Sequence, residues 1–295
     1  MKDKLSYSKL YDDMEERGIT FNYHSKPQVV SIFERTNYYY KIASFRKNFE
    51  KIDGKYQNLD FAYLVDLAVL DMYIRNILLQ ISLSTEHFIK TELSRLINLN
   101  PNEDGYTLVD EYAQENPKNF KDTLGRFSRT RYQKNMYHKR SNDLSIWALM
   151  EHMDYTAFMK LTELYYRKHN SKSLKKAVDL WINSRYIRNA CAHNSVFLIE
   201  WFNQLSIVKS NAATTSFANV MKIENDTAKF SKINDLISLF ALLKTYATDE
   251  VIHHEYENGQ SFIKRCLRNK DSYKNIPNLK NMYDIFYKLF DFLKD

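Results

Sequence analysis

Glycine and proline are scarce, 5 and 4 among 295 residues, against ordinary usage of about 7% and 5%. These are the residues that interrupt helices and build tight turns. An all-β fold needs turn residues often, and this chain cannot supply them. Cysteine is scarcer still, with Cys191 and Cys266 alone, so no disulfide framework is expected. No uncharged apolar run is long enough to span a bilayer, and the N-terminal residues MKDKLSYSKLYDDMEERG contain no apolar signal core. The expectation is a cytoplasmic, soluble, all-α protein.

Hydrophobic residues make up 44% and charged residues 27%, which permits a sizeable core under an ordinary surface. The formal net charge is +7, which suits a polyanionic partner such as nucleic acid, or is a generic basic surface. Helical spacing predicts a first helix over Lys2 to Arg17, stopped by Gly18. A second starts near Ser25 with Pro27 in its first turn, and Asp53-Gly54 marks a turn. From Leu59 to Ile97 the pattern predicts one long helix, in which Asp71 and Arg75 recur among the apolar positions. Short helices broken by Pro117 follow. Further helices are expected over Ser145 to Lys168, Leu174 to His193, Ser231 to Tyr246, Asp249 to Arg268 and Leu279 to Leu293. Between Phe197 and Ile223 the pattern does not separate loop from hairpin.

The stretch Arg126 to Arg140 is the most basic. Arg126, Arg129, Arg131, Lys134, Lys139 and Arg140 alternate with Tyr132 and Tyr137. Cations that neutralise phosphates beside rings that stack on bases would track an RNA strand. The same composition also describes a solvated loop.

The informative string is Arg188-Asn189-Ala190-Cys191-Ala192-His193, at the end of an expected helix. Metal-free RNA cleavage uses the 2′-OH as internal nucleophile. It needs a group that moves protons near neutral pH, as His does. It also needs a cation that stabilises charge on the phosphoryl oxygens, as Arg does. At about 100° per residue Asn189 and His193 share a face, while Arg188 points away from His193. A long side chain, a distorted helix end or a second copy across a twofold axis would reunite them. The alternative is a helix C-terminus decorated with cations that favour the dipole.

Three segments resemble the Abi-like abortive-infection proteins of the AbiD/AbiF group: Phe33 to Lys41 with its tyrosine run, Leu70 to Arg75 leading into Glu86 and Lys90, and Tyr186 to His193. The likeness runs from Tyr38 to Asn194. It implies membership of the HEPN superfamily, helical bundles that often dimerise and cut RNA through an Arg-x4-6-His motif in phage defence. It implies that Arg188 and His193 are catalytic, that Asn189 positions His193, and that a small noncoding RNA restrains the protein. Glu86 either pairs with Lys90 at i+4 or orients the site, and Arg185 either contacts phosphate or is a surface residue. The expected architecture is an HEPN-like helical bundle over residues 56–200, with an N-terminal helical segment (1–55) and a C-terminal helical region (201–295). A homodimer and RNA are the expected partners. A non-catalytic RNA-binding module and a helical protein-interaction bundle are the alternatives.

No cofactor or metal is expected. No Gly-x4-Gly-Lys loop or Gly-x-Ser-x-Gly elbow occurs. His253-His254-Glu255 sets adjacent imidazoles on different sides of a helix, whereas zinc helices space them about four apart.

Overall fold

A computed structural model describes residues 4–294. Its helices are α1 (Tyr7–Glu16), α2 (Lys26–Arg35), α3 (Tyr39–Ser44), α4 (Phe61–Leu99), α5 (Thr107–Glu115), α6 (Pro117–Arg129), α7 (Lys134–Arg140), α8 (Ile146–His152) and α9 (Tyr155–His169). The chain continues through α10 (Lys175–Ala192), α11 (Ala212–Val220), α12 (Asn225–Ala228), α13 (Ser231–Tyr246), α14 (Asp249–Leu267), α15 (Lys270–Tyr273) and α16 (Pro277–Asp291). One two-stranded hairpin, β1 (Lys51–Ile52) and β2 (Lys55–Tyr56), is the sole sheet among the described residues. Asp53 and Gly54, both at positive φ (50° and 77°), form its two-residue turn. The fold is all-α, as the shortage of breakers implies.

The centre is built on α4, whose 39 residues span roughly 58 Å at 1.5 Å per residue. α10 and α13 pack along it and against each other, with α9 beside α10 and α14 beside α4. α13 begins and ends as its periodicity predicts, and its apolar positions from Ile233 to Leu243 are buried. α14 and α16 approach closely at Gly259, where a Cβ would collide with the Phe290 ring.

Four local expectations change. The first helix starts at Tyr7 with Ser6 as its cap, and the expected start at Lys2 lies outside the described residues. The helix expected over Ser145 to Lys168 is two, because Asp154 leaves helical geometry and accepts the Ala157 N–H at 2.8 Å, capping α9 anew. α10 starts at Lys175 after a 3-10 turn over Lys172–Leu174 and ends at Ala192, one residue short of the expected bound at each end. The ambiguous Phe197 to Ile223 region contains α11, because the Asn211 side chain accepts the Thr214 N–H at 2.7 Å and nucleates a helix.

Candidate active site at the end of α10

α10 is two-sided. Ala177, Leu180, Trp181, Ser184, Ile187 and Cys191 are buried against the bundle, and Ile182, Tyr186 and His193 are exposed on the other side. Arg188 sits on the shoulder between them, half-buried. Its Nη1 donates to Asn189 Oδ1 at 3.4 Å, and its Nε is buried without an acceptor. A buried guanidinium N–H without a partner is costly.

Beneath Arg188 the Tyr155 hydroxyl meets Ser184 Oγ at 2.7 Å. Burial pushes the Tyr155 phenol up. The negative charge of Glu86 adds to that, and Arg188 and Arg185 oppose it. Glu86, Arg185 and Arg188 therefore share one electrostatic neighbourhood around a buried hydroxyl, although they come from α4 and α10. Glu86 itself pairs with Lys90 at 2.9 Å, and Lys90 lies over the Phe158 ring. Arg185 lies over the Trp181 and Tyr186 rings, 5.3 Å from each centroid, with its Nη1 3.5 Å from Thr156 Oγ1.

The end of α10 is closed by a Schellman turn. Ser195 N–H donates to the Ala190 carbonyl (3.0 Å) and Asn194 N–H to the Cys191 carbonyl (3.1 Å), with Asn194 left-handed at φ 56°. This holds His193 as the C-cap of the helix, its side chain exposed. Arg188 and Asn189 are brought together. Among the described residues, no hydrogen bond joins the His193 imidazole to either of them.

A buried polar cluster grips the chain just beyond His193. Asp71 on α4 is fully buried. One of its oxygens accepts from the Phe197 and Leu198 N–H groups (2.6 and 2.9 Å), and the other accepts from Arg75 Nε (2.8 Å). Lys41 on α3 is also buried, and its Nζ donates to Asn194 Oδ1 at 2.9 Å. Burial pulls the Lys41 amine down, the Arg75 charge adds to this, and Asp71 opposes it. Asn48 Nδ2 donates to the Leu198 carbonyl at 2.8 Å, and Lys232 Nζ on α13 donates to the Phe197 carbonyl at 2.9 Å. Burial brings the Lys232 amine down to about 8. Cys191 lies against this cluster, its thiol pushed up to about 12 by burial. Sequence reasoning counted Asp71 and Arg75 as helical-face positions and Lys41 as part of a tyrosine run. Two charges set four apart inside an apolar stripe were the available signal, because such charges are rarely buried unless they are paired.

The basic stretch divides. Arg126 turns inward, its Nη1 3.0 Å from Asp154 and its Nε donating to the His152 carbonyl. Arg129 Nε donates to the Gly125 carbonyl at 2.7 Å. The Tyr137 ring packs edge-on against buried Phe127, 5.3 Å between centroids. Arg131, Tyr132, Lys134, Lys139 and Arg140 are exposed, Tyr132 at 92%. No helix among the described residues is long and apolar enough to cross a membrane.

All three sequence segments that carry the resemblance thus converge on the end of α10: Lys41 from the first, Asp71 and Arg75 from the second, Arg188 to His193 from the third. A family model described as Abi-like protein matches residues 32–198. The chain belongs to the Abi-like protein family. No curated protein and no solved structure matches it. The matched span of this Abi-like protein ends at Leu198, whose N–H and carbonyl are both held by the buried cluster.

Proposed function

We propose that this Abi-like protein is a metal-independent endoribonuclease of the HEPN type, acting in abortive-infection phage defence. The observation that carries the reading is Arg188. Its guanidinium is half-buried, reaches Asn189, and stands on the helix whose C-cap is an exposed histidine. Arg188 would hold the scissile phosphate and stabilise its developing charge. His193 would move a proton between the 2′-OH, the leaving 5′-oxygen and solvent. Asn189, one turn before His193, would hold the phosphate or the imidazole in register.

The imidazole and the guanidinium are not bonded within one chain, so the complete site calls for a second copy. Ile182 and Tyr186 are exposed (47% and 53%) on the side of α10 that carries Asn189 and His193, and an apolar strip beside a half-site suits a twofold contact. Arg131, Lys134, Lys139, Arg140 and Tyr132 would track the RNA strand, and a cognate noncoding RNA would compete for the same surface. The separation of Arg188 from His193 also favours a second reading, a module that binds RNA without cutting it.

The deciding experiment incubates purified protein with RNA in EDTA and examines the ends. Cleavage leaving a 2′,3′-cyclic phosphate and a 5′-OH is expected, lost in Arg188→Ala and His193→Ala while RNA binding persists. Binding without cleavage by the unaltered protein would establish the second reading. Loss of cleavage on chelation would overturn the mechanism.

A further inference from the structure

A cavity of about 380 Å³ opens between α4, α14 and α16, away from Arg188 and His193. Leu67 and Leu70 of α4, Phe262 of α14, Met282 and Phe286 of α16, and Leu198 make its walls. Its size and apolar lining are those of a small-molecule site. The Cys266 thiol, pushed up to about 12 by burial, lines a wall that is poor in water. The mouth is mainly basic. Lys270, Lys274 and Lys280 line it and are exposed, and none is ion-paired among the described residues, whereas Asp284 is the single acid.

We infer that this cavity binds a small amphipathic anion, a molecule with an apolar tail or ring and one carboxylate, sulfate or phosphate head. The tail replaces water against Phe262, Met282 and Phe286, and burial of apolar surface supplies the affinity. The head stays in the wet mouth among the three ammonium groups, which select its charge. A cation would meet three like charges, and a neutral alcohol would forgo their attraction.

The cavity also reaches the strip of chain that follows α10. Leu198 is at once a wall and the residue whose N–H is held by Asp71 and whose carbonyl is held by Asn48. Leu70 is the neighbour of Asp71 on α4. An occupant that presses on Leu198 and Leu70 steadies the strip of chain that follows His193. The binding claim stands apart from the ribonuclease reading, because it needs no RNA.

Titration calorimetry on the full chain tests it, with decanoate, decanol and decyltrimethylammonium as probes below their aggregation ranges. Saturable binding of one decanoate is expected, with weaker decanol and no measurable cation binding. Lys270→Glu/Lys274→Glu/Lys280→Glu should weaken decanoate by about tenfold or more and leave decanol unchanged. Met282→Trp, which fills the cavity, should remove both. Circular dichroism checks that each variant keeps its helices, and Phe286→Trp serves if Met282→Trp does not. Amide hydrogen exchange at Phe197 and Leu198 should slow when decanoate is bound. Non-saturable binding, or equal affinity for decanoate and decanol, would overturn the site as an anion site. Saturable binding with unchanged exchange at Leu198 would overturn its link to the strip that follows α10.

Discussion

Asp71→Ala is the sharpest perturbation the fold offers away from Arg188 and His193. The carboxylate is fully buried. It is the anion for Arg75, whose side chain is 5% exposed, and it accepts the Phe197 and Leu198 N–H groups. Removing one partner of a buried pair costs about 3–5 kcal/mol, because the remaining charge is stranded. Each orphaned buried N–H adds roughly 1–3 kcal/mol where water cannot reach it. Lys41, already destabilised as a cation by Arg75, loses the charge that opposed that repulsion. These contributions overlap, so we expect a loss of about 4–6 kcal/mol, a large share of the roughly 5–15 kcal/mol that holds a domain folded. Urea unfolding followed by circular dichroism measures it. The control is Asp71→Leu/Arg75→Met, which removes both charges and fills the volume. It should recover the part of the loss that comes from the stranded Arg75 charge, since apolar replacement of a buried pair is often neutral, and leave the part that comes from the two orphaned N–H groups. The recovered variant should still show fast amide exchange at Phe197 and Leu198 and impaired function, because the acceptor is gone. A loss below about 1 kcal/mol for Asp71→Ala would refute the account. So would a double variant as unstable as the single one.

Three further expectations rest on other parts of the fold. Burial pushes the Asp235 carboxyl on α13 up to about 8 from 3.8. The folded state therefore keeps a proton that the unfolded chain releases, and this contribution is full below about pH 4 and lost as pH rises to 8. Asp235→Asn should gain on the order of a few kcal/mol at pH 8 and little at pH 4; thermal melts at both pH values check this, and equal shifts would contradict it. Burial pushes the Cys191 and Cys266 thiols up to about 12, so neither should react with a disulfide reagent at pH 8 within minutes, and both should react at once in urea. Gly259→Ala should cost about 1–3 kcal/mol by overpacking against Phe290, with Phe290→Leu in the same chain recovering part of it. An unchanged melting temperature in Gly259→Ala would show that α14 and α16 separate freely.

Much of this architecture can be read from periodicity. α4 and α13 carry long, uninterrupted apolar patterns, and their bounds follow within two residues. The short helices were harder. α8 and α9 merge in a reading of apolar spacing, because the break depends on one carboxylate, Asp154, choosing the Ala157 N–H. α11 is rich in threonine and alanine, and its weak β-branched alternation competes with the Asn211 cap that decides it. At the site, Arg188, Asn189 and His193 stand out because they are close in sequence. Lys41, Asp71 and Asn194 do not, because the contacts that join them cross more than a hundred residues of chain. Tyr155 was likewise invisible, since its part depends on burial beside Ser184.

The strip of chain after His193 is clasped from both ends of the polypeptide. Lys41 and Asn48 reach it from the N-terminal side, Asp71 from the centre, and Lys232 from α13. α13 lies beyond the stretch that identifies the family, yet it packs between α4 and α10. The stretch that matches the family, residues 32–198, is therefore smaller than the packed bundle that α13 completes. A fragment trimmed to residues 32–198 would carry every signature residue and lack the scaffold that gives them positions.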